Sequence, residues 1–390
     1  MQGQLKKHFI AYKILRPLVY FVAKVVLNYK CTPAPYIEEP CLILANHTMD
    51  WDPLLVACSF RKPINFLASE HAMRMGFLSK IISTFFAPIQ RVKGSTDANA
   101  ALSLVSMVRK GVSVCLFPEG TRSFDGKTDK LHPTTARLIK LCNSTVVTYR
   151  IEGGYLSSPR WGHGLRRGRV RGQVVKVYSA TEIKNMSADE LVSCVNNDLA
   201  ENAFDRQIKS PCKYKGKNTA EGIERVLYIC PFCHKIGTVK SEKDKIICSC
   251  GLKIKYNEYG FFEGDDFPFK SVDKWNEWQI EYMSELVDND NVYIKDEDQE
   301  LYILNNEHSL TLIGVDSLST DGKNLIFGDN KYPFDKIKMS TIRKQDIVFS
   351  YEGVNYEIHS HKIRSALKYL FVYEKVLSNA ERTNKVEISK

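Results

Sequence analysis

The sequence lacks any apolar stretch long enough to cross a membrane. Within the apolar-rich residues 8–28 the longest uncharged stretch runs only from Pro17 to Ala23, whereas a spanning helix needs roughly 20 residues. The sequence also lacks a small-residue cleavage site after a compact apolar core near its start, so we predict no cleavable signal. Its eleven cysteines are odd in number and scattered. They predict a reducing cytoplasmic setting without disulfides.

The composition is that of an ordinary packed protein, and 390 residues suffice for two or three domains. The charge is uneven, however, because residues 1–210 sum to +13 and residues 211–390 to −3. A basic half suits phosphorylated substrates, the acidic groups of a coenzyme or carrier protein, and anionic lipid headgroups. Nucleic acid would suit the charge equally well, so charge alone does not choose among these partners.

Two short strings carry most of the chemical information, and they are Asn46-His47-Thr48-Met49-Asp50-Trp51-Asp52 and Phe117-Pro118-Glu119-Gly120-Thr121-Arg122-Ser123. Each follows an apolar run that predicts a buried strand. Loops at the carboxyl ends of parallel strands meet in one crevice of an open α/β sheet. A histidine base and an arginine anion clamp would then face each other across one site, which is the layout of a transferase.

These strings resemble the two signature blocks of the 1-acyl-glycerol-3-phosphate acyltransferase family, including its His-x4-Asp motif. The resemblance covers roughly residues 1–210. A third block, a strand carrying an arginine, fits Arg91, whereas the fourth block has Thr148 where the family usually has proline. The resemblance implies a phosphorylated acceptor. The residues predicted to bind it are Arg91, Glu119, Gly120, Thr121 and Arg122.

Acyl transfer from a thioester to a hydroxyl requires a base near neutral pKa, and His47 fits that role. Asp52 is predicted to fix the tautomer of His47 as a partner carboxylate does in serine hydrolases. Because Pro53 favours a first helical position, Asp52 is also a natural N-cap. Asp50 is a rival carboxylate. The alternatives are a loop histidine bonded to backbone and a strand-to-helix turn with solvated charges.

Residues 8–28 predict an amphipathic helix. Its apolar side chains lie opposite a basic stripe, as in helices that lie in a membrane interface. The apolar set is Ile10, Ile14, Leu18, Phe21, Val22 and Val25, and the basic set is Lys6, Lys13, Arg16 and Lys24. A helix packed on the protein's own core is the alternative. Pro17 is expected to kink or split the helix.

Alternating apolar strands and amphipathic helices predict an α/β fold over residues 36–208, with a mostly parallel sheet and flanking helices. A closing helix is expected over 187–204, with Ser187 as its cap. Short strands followed by a helix over 363–377 predict an antiparallel β sandwich that resembles a pleckstrin-homology-like module. The predicted domains are a helical segment 1–35, the acyltransferase domain 36–208, a linker 209–224, a zinc-ribbon-like module with a helix 225–287, a β-rich module 288–380 and a polar tail 381–390.

Paired thiols at two turns predict a structural zinc site formed by Cys230, Cys233, Cys248 and Cys250. The second pair departs from ribbon spacing because only one residue separates its cysteines. His234 could compete as a ligand, and four reduced thiols in a small core are the alternative. A further basic cluster that includes Arg160, Arg166 and Arg171 could face lipid headgroups or the donor's phosphates, or protect a solvated strand edge.

The sequence as a whole predicts an acyltransferase at the cytoplasmic face of the cell membrane, peripheral or monotopic. The donor would be acyl-CoA or an acyl-carrier protein, the acceptor 1-acyl-glycerol-3-phosphate, and the lipid contact interfacial. Alternatives are another lysophospholipid or glycerol-3-phosphate as acceptor, or a catalytically silent scaffold whose ribbon and sandwich bind a protein. A nucleic-acid partner is not expected, because the half that carries the four clustered cysteines is acidic.

Overall fold

The computed structural model describes residues 2–68, 89–90, 97–131, 133–305, 309–342 and 344–388, and these form two compact units. The first unit comprises Met1–Arg160 and Gly164–Gly216, and the second comprises Trp161–His163 and Lys217–Lys390. Each unit has a hydrophobic core of its own. Arg91 lies outside the described residues, so its predicted role stays a prediction.

The described part of the first unit alternates helices and strands, as the sequence pattern predicts. Its helices are α1 (Gln2–Leu27), α2 (Asp52–Ser59), α3 (Asp97–Arg109), α4 (Thr134–Cys142), α5 (Gly154–Ser157), α6 (Ala180–Asn185), α7 (Ala188–Leu199) and α8 (Ala203–Lys209). Its strands are β1 (Tyr29–Cys31), β2 (Cys41–Ala45), β3 (Asn65–Ala68), β4 (Ile89–Gln90), β5 (Val114–Leu116), β6 (Thr145–Glu152) and β7 (Val170–Tyr178). The predicted α/β class is confirmed.

The strands of this unit are ordered β1-β7-β6-β2-β5-β3-β4. All neighbouring pairs are parallel except β6 and β7, which are antiparallel. All five residues of β2 are buried, which explains why the strand is apolar throughout instead of alternating. Because β2 lies between β5 and β6, the loop that follows it starts in the middle of the sheet edge.

Thr148, which stands where the family usually has proline, lies at a bulge between β6 and β7. Its hydroxyl accepts the Lys176 N–H at 3.1 Å and donates to the Asp198 carboxylate at 2.9 Å. A bulge leaves one residue of the ladder unpaired. The threonine side chain therefore provides the hydrogen bond that the distorted ladder omits.

Helix α1 packs one face on the core of the first unit and exposes the other. Tyr12, Ala23 and Leu27 are buried, and the Tyr12 hydroxyl donates to the Ala57 carbonyl at 2.7 Å. Of the kink or split expected at Pro17, the split is wrong, because the helix continues from Gln2 to Leu27. Pro17 is exposed, and buried residues on both sides of it hold the helix to the core despite the lost backbone hydrogen bond.

The predicted closing helix over 187–204 is two helices. Ser187 caps α7 as predicted, since its hydroxyl accepts the Glu190 N–H and the Glu190 carboxylate accepts the Ser187 N–H. The chain leaves the helical conformation after Leu199. The Asn202 side chain then accepts the N–H groups of Phe204 and Asp205, which starts α8 as a separate helix.

The second unit is antiparallel. Strands β8 (Val239–Glu242), β9 (Lys245–Cys248), β10 (Lys253–Tyr256) and β11 (Phe262–Glu263) form one sheet, followed by helix α9 (Val272–Asp288). The larger sheet is ordered β15-β14-β13-β12-β18-β17-β16. Its strands are β12 (Ile294–Leu304), β13 (Leu310–Thr320), β14 (Asn324–Phe327), β15 (Asn330–Pro333), β16 (Lys338–Ile342), β17 (Asp346–Tyr351) and β18 (Val354–Ser360).

Helix α10 (Leu367–Ile388) follows the larger sheet and extends well past the expected end at Leu377. The stretch 381–390, expected as a polar tail, is therefore helical as far as Ile388. The likeness of this module to a pleckstrin-homology-like fold stays a prediction. In the stretch expected as a linker, Tyr214 is buried within the first unit and Ala220 within the second.

Candidate active site and candidate metal centre

The two sequence strings meet at one edge of the sheet. Strands β2 and β5 pair in parallel with Leu44 opposite Leu116, so the loops after them leave the sheet side by side. The His47 ring stacks on the Phe117 ring with centroids 4.3 Å apart and planes 22° apart. The structure thus brings together the two groups of residues that the sequence predicts for one crevice.

His47 and Asp52 are hydrogen-bonded through Nδ1 and Oδ2 at 2.9 Å. The Asp52 carboxylate is fully buried and also accepts the Met49 N–H at 2.8 Å, the Thr48 hydroxyl at 3.0 Å and the Thr48 N–H. A carboxylate held by this many donors cannot rotate. It therefore fixes the imidazole with Nε2 directed away from Asp52.

The expectation that Asp52 caps helix α2 is wrong. Trp51 occupies the N-cap position, and Asp52 is the first helical residue, with a proline after it. The side chain of Asp52 turns back to the loop that precedes the helix. Its oxygens there satisfy N–H groups of residues 48 and 49, so the carboxylate orders the loop that carries His47.

Glu119 holds the backbone of His47. Its Oε1 accepts the His47 N–H at 2.6 Å and its Oε2 accepts the Asp129 N–H at 3.0 Å. The Ser123 N–H donates to the His47 carbonyl at 3.0 Å. Residues of the second string therefore hydrogen-bond to both the N–H and the carbonyl of His47. The sequence gives no sign of these contacts, because the partners are backbone groups.

Burial raises the pKa of the Glu119 carboxyl to about 8, although its hydrogen bonds from the His47 and Asp129 N–H groups oppose the change. Removal from water disfavours the charged form of an acid. Glu119 is thus a neutral or readily protonated group near physiological pH. Its contacts are those of a residue that positions the loop.

Arg122 lies beside the histidine loop and pairs with Asp50, with Nη1 and Oδ2 3.0 Å apart. The side chain of Arg122 is 14% exposed, whereas that of Asp50 is 74% exposed. Asp50, the rival carboxylate in the first string, therefore contacts the arginine, whereas Asp52 contacts the histidine. An exposed carboxylate can leave a guanidinium at little cost.

Arg160 lies next to Arg122 and extends the positive charge of the site. Its Nη1 donates to the Arg122 carbonyl at 3.3 Å, and its guanidinium carbon lies 3.8 Å from the centre of the Phe124 ring. Burial and the charge of Arg122 lower the pKa of Arg160 to about 9. The sequence placed Arg160 only in a general basic cluster. Its partners lie 36 and 38 residues away, beyond the reach of a motif.

Gly120 and Thr121 form the tip of the turn between Glu119 and Arg122, and both are exposed. The Gly120 N–H donates to the Phe117 carbonyl at 3.1 Å, and Gly120 has φ +74°. That left-handed conformation favours glycine. The turn places the acid on one side and the arginine on the other.

Asn46 joins the loop to strand β6. Its Nδ2 donates to the Ile151 carbonyl at 2.9 Å, and its Oδ1 accepts the Ile151 N–H at 2.7 Å. These two bonds resemble the backbone hydrogen bonds between paired strands, and they lie beyond the end of β2. It limits the movement of His47, the next residue.

The four predicted metal ligands also come together. The sulfur atoms of Cys230, Cys233, Cys248 and Cys250 all lie within 4.8 Å of one another. The Cys230–Cys250 and Cys233–Cys248 sulfur pairs are 3.6 and 3.8 Å apart. Four sulfurs about 2.3 Å from a tetrahedral zinc would be about 3.8 Å apart. The cluster therefore fits a zinc ion.

His234, the rival ligand, does not belong to this group. Its ring packs against Trp278 and Tyr282, with centroid distances of 5.7 and 5.1 Å. The single residue between Cys248 and Cys250 is accommodated by Gly251, which has φ +101° and donates its N–H to the Cys248 carbonyl. A spacing of one residue between Cys248 and Cys250 is thus compatible with the four-sulfur group.

Residues 25–152 match the family model described as Acyltransferase. Their fold and their site are those described above for the first unit. The predicted resemblance to the acyltransferase family is confirmed for this part of the chain.

Similar curated proteins carry related names. A 1-acyl-sn-glycerol-3-phosphate acyltransferase of Borreliella burgdorferi is 30% identical over 88 residues, which cover 22% of this chain and 35% of that protein. A probable 1-acyl-sn-glycerol-3-phosphate acyltransferase of Mycoplasma pneumoniae is 23% identical, covering 47% of this chain and 70% of that protein. The chloroplastic 1-acyl-sn-glycerol-3-phosphate acyltransferase BAT2 of Brassica napus is 25% identical, covering 43% and 47%. The chain thus spans between about a third and about two thirds of the lengths of these relatives.

Among solved structures, the chain is similar to the 1-acyl-sn-glycerophosphate acyltransferase PlsC of Thermotoga maritima. The sequence identity is 17% and the TM-score 0.41. The match covers 48% of this chain and 76% of that one.

Proposed function

We propose that the protein transfers a fatty acyl chain from a thioester, acyl-CoA or acyl-carrier protein, to the free hydroxyl of 1-acyl-glycerol-3-phosphate. The observation that carries the proposal is the His47–Asp52 pair on the same loop as Asp50, which holds the largely covered guanidinium of Arg122. The acyltransferase family match and the names of the curated relatives support the reaction type.

In the proposed reaction, His47 Nε2 takes the proton of the acceptor hydroxyl while the hydroxyl oxygen attacks the thioester carbonyl carbon. The buried Asp52 carboxylate stabilises the imidazolium that forms. When the tetrahedral intermediate collapses, the carbon–sulfur bond breaks and the imidazolium returns the proton to the leaving thiolate. Because the acceptor supplies the nucleophile, the enzyme needs no serine.

Arg122 would hold the acceptor's phosphate, with Arg160 adding charge behind it and Arg91 contributing as the sequence predicts. Arginine binds phosphate through two parallel hydrogen bonds. Asp50 occupies Arg122 in this structure, so the phosphate would displace an exposed carboxylate. Glu119 would act through His47, whose N–H it accepts, and Gly120 and Thr121 would line the acceptor's path at the exposed turn.

The His47→Ala variant tests the reaction. We expect acyl transfer to fall by roughly 10²–10⁴-fold with the fold retained, because the buried Asp52 carboxylate keeps its hydrogen bonds from residues 48 and 49. His361→Ala, which removes a more exposed histidine of the second unit, is the matched control and should keep full activity. The assay follows lipid products across several lyso-acceptors and glycerol-3-phosphate, with both thioester donors.

Each result of this assay has a consequence. Preference for another lysophospholipid or for glycerol-3-phosphate would replace the proposed acceptor and keep the reaction. Transfer that survives in His47→Ala would exclude the proposed base. A well-folded protein without transfer to any acceptor would favour the scaffold hypothesis.

We further propose that the protein acts at a membrane surface through α1. No helix in the described part of the chain is long and apolar enough to span a bilayer. The outer face of α1 exposes a continuous apolar stripe, formed by Ile10, Ile14, Leu18, Phe21 and Val25. An apolar stripe of this kind can lie in the headgroup region of a bilayer. Attachment at the cytoplasmic face stays a prediction.

We also propose that Cys230, Cys233, Cys248 and Cys250 hold a structural zinc ion. A thiolate set that fits a closed tetrahedron leaves no open position for a substrate or water, which is the arrangement of structural zinc sites. Bound there, the ion would hold the two cysteine turns together. It would take no part in acyl transfer.

A further inference from the structure

The second unit contains a cavity of about 130 Å³ that the proposed reaction does not use. It lies where the beginning of β12, the end of β18 and the residues that lead into α10 come together with β8. All of its lining residues belong to the second unit. The side chains that matter here are Glu224, Gln299, Arg364 and Lys368.

Arg364 is the unusual member of this lining. It is only 5% exposed, yet its Nε and Nη1 atoms have no hydrogen-bond partner among the described residues. Its Nη2 donates to the Ile358 carbonyl at the long distance of 3.5 Å, and its guanidinium carbon lies 5.9 Å from the Tyr369 ring centre. A buried charge without a partner is strongly unfavourable in a folded protein. Burial accordingly lowers the pKa of Arg364.

Two of the neighbouring carboxylates are engaged by other groups. Asp296 accepts the Lys368 ammonium at 2.7 Å and the Tyr369 hydroxyl at 2.9 Å. Lys362, at the rim, pairs with Asp298 at 2.6 Å. Lys368 is therefore neutralised within the described structure, whereas the guanidinium of Arg364 is not. The cavity keeps one uncompensated buried cation.

Acceptors in the same lining are also unfilled. Gln299 Oε1 and Glu224 Oε2 are buried and have no partner in the described part of the chain. The other atoms of these groups are in use, since Gln299 Nε2 donates to the Glu297 carbonyl and Glu224 Oε1 accepts the Ser241 N–H. Two unpartnered guanidinium nitrogens and two unpartnered oxygens thus belong to residues that line one cavity.

We propose that this cavity binds a phosphate-type oxyanion that carries at least one O–H group. Its unprotonated oxygens would accept the Nε and Nη1 hydrogens of Arg364 in the paired geometry that guanidinium groups provide. Its O–H would donate to Gln299 or Glu224. A group of this size fits the volume of the cavity. The chemistry is shared by inorganic phosphate and by the phosphomonoester headgroup of a lipid.

The test measures thermal unfolding of the full-length protein as inorganic phosphate replaces chloride at constant ionic strength. We expect the melting temperature of the wild type to rise by roughly 2–6 °C at ten times the dissociation constant. Arg364→Met should show no rise once Arg122, the arginine of the proposed acceptor site, is also replaced by Gln. It should fold at least as well as the wild type without phosphate, because an apolar side chain of similar length removes the buried charge.

Two further variants keep the result interpretable. Arg364→Lys retains the charge and loses the paired donors, so phosphate should bind at least about fivefold more weakly. Arg122→Gln removes the arginine of the proposed acceptor site in the first unit, and it should keep the phosphate-induced rise. Comparison of this variant with the wild type shows whether phosphate binds in the cavity or at the proposed acceptor site, so that failure of either proposal can be recognised.

Dihexanoyl phosphatidic acid, tested below its aggregation concentration in the Arg122→Gln protein, distinguishes the two sources of the oxyanion. A rise that requires Arg364 would assign the site to lipid phosphomonoesters, and a rise with inorganic phosphate alone would assign it to the soluble ion. The proposal is overturned if phosphate does not stabilise the wild type, if Arg364→Met responds equally, or if Arg122→Gln abolishes the response.

Discussion

The two carboxylates of the histidine loop have different roles because their surroundings differ. Asp50 and Asp52 are two residues apart, but Asp52 is buried against the histidine and Asp50 is exposed against Arg122. The resemblance to the family's His-x4-Asp motif correctly predicted the His47–Asp52 contact. It did not predict the Asp50–Arg122 pair, whose members lie in different strings.

The Asp50–Arg122 pair leads to a prediction about substrate affinity. Asp50→Asn should lower the KM for a phosphorylated acceptor by roughly two- to fivefold, because the phosphate no longer displaces a carboxylate and exposed ion pairs contribute about 0–1 kcal/mol. The kcat should change little. Steady-state kinetics with varied acceptor would check this. An increase in KM would mean that Asp50 helps to bind the acceptor.

Glu119 leads to a prediction about pH. Burial raises its folded-state pKa to about 8, above the ordinary value of 4.5. Between these values the folded protein keeps a proton that the unfolded chain has lost, so this contribution to stability declines as pH rises from about 5 to 8. Glu119→Gln should lack that decline.

The measurement compares melting temperatures of the wild type and Glu119→Gln from pH 5 to pH 8.5. As pH rises, the melting temperature of Glu119→Gln should increase relative to that of the wild type. Glu39→Gln, at an exposed position, controls for general loss of a carboxylate and should follow the wild type. Parallel curves for wild type and Glu119→Gln would contradict the raised pKa.

At the scale of single elements, α1 packs one face on the protein's core as one interpretation of its sequence predicts, and the membrane-interface interpretation of its other face stays a prediction. The helical period places apolar residues nearly all round, and the tertiary structure divides them into a face packed on the core and an exposed face. Periodicity can show that two faces exist. It cannot show which of them the protein's own core covers.

The exposed face predicts membrane binding that can be removed without unfolding. Phe21→Glu should reduce co-sedimentation with anionic phospholipid vesicles about tenfold or more, because an exposed apolar anchor becomes a charge that anionic headgroups repel. Ile208→Glu, which changes an equally exposed apolar residue of α8, should bind like the wild type. Equal loss in both variants would point to general charge repulsion.

Strand β6 shows why the missing proline did not disturb the fold. Thr148 keeps the strand conformation and uses its hydroxyl at the bulge, where it bonds to groups of β7 and α7. The sequence could show that the residue differs from the family pattern. Only the pairing of β6 with β7 shows which hydrogen bond the threonine supplies.

At the scale of the whole molecule, the chain joins a basic acyltransferase domain to a second unit with a metal-ligand cluster. Zinc removal tests that cluster. We expect about one zinc per chain, and strong chelators should lower the melting temperature of the second unit by roughly 10 °C or more. Unfolding of the second unit can be followed by the fluorescence of its buried Trp275.

Cysteine variants provide the control for zinc removal. Cys250→Ser should abolish zinc binding, and Cys212→Ser, a cysteine outside the cluster, should retain it. Because the zinc would not take part in acyl transfer, His47-dependent activity should outlast zinc loss wherever the first unit stays folded. Zinc content that Cys250→Ser does not change would exclude the proposed ligand set.

The sequence by itself determined the α/β alternation, the helix start at Ser187, the contact between His47 and Asp52 and the grouping of four cysteines. These depend on short-range spacing or on apolar periodicity, which residue types record directly. Only the tertiary structure decided that Glu119 holds the His47 backbone across 72 residues and that Asp50 occupies Arg122. The same is true of the buried Arg364, whose Nε and Nη1 atoms have no hydrogen-bond partner among the described residues. Backbone partners and burial arise when distant segments pack, and no local pattern of side chains records them.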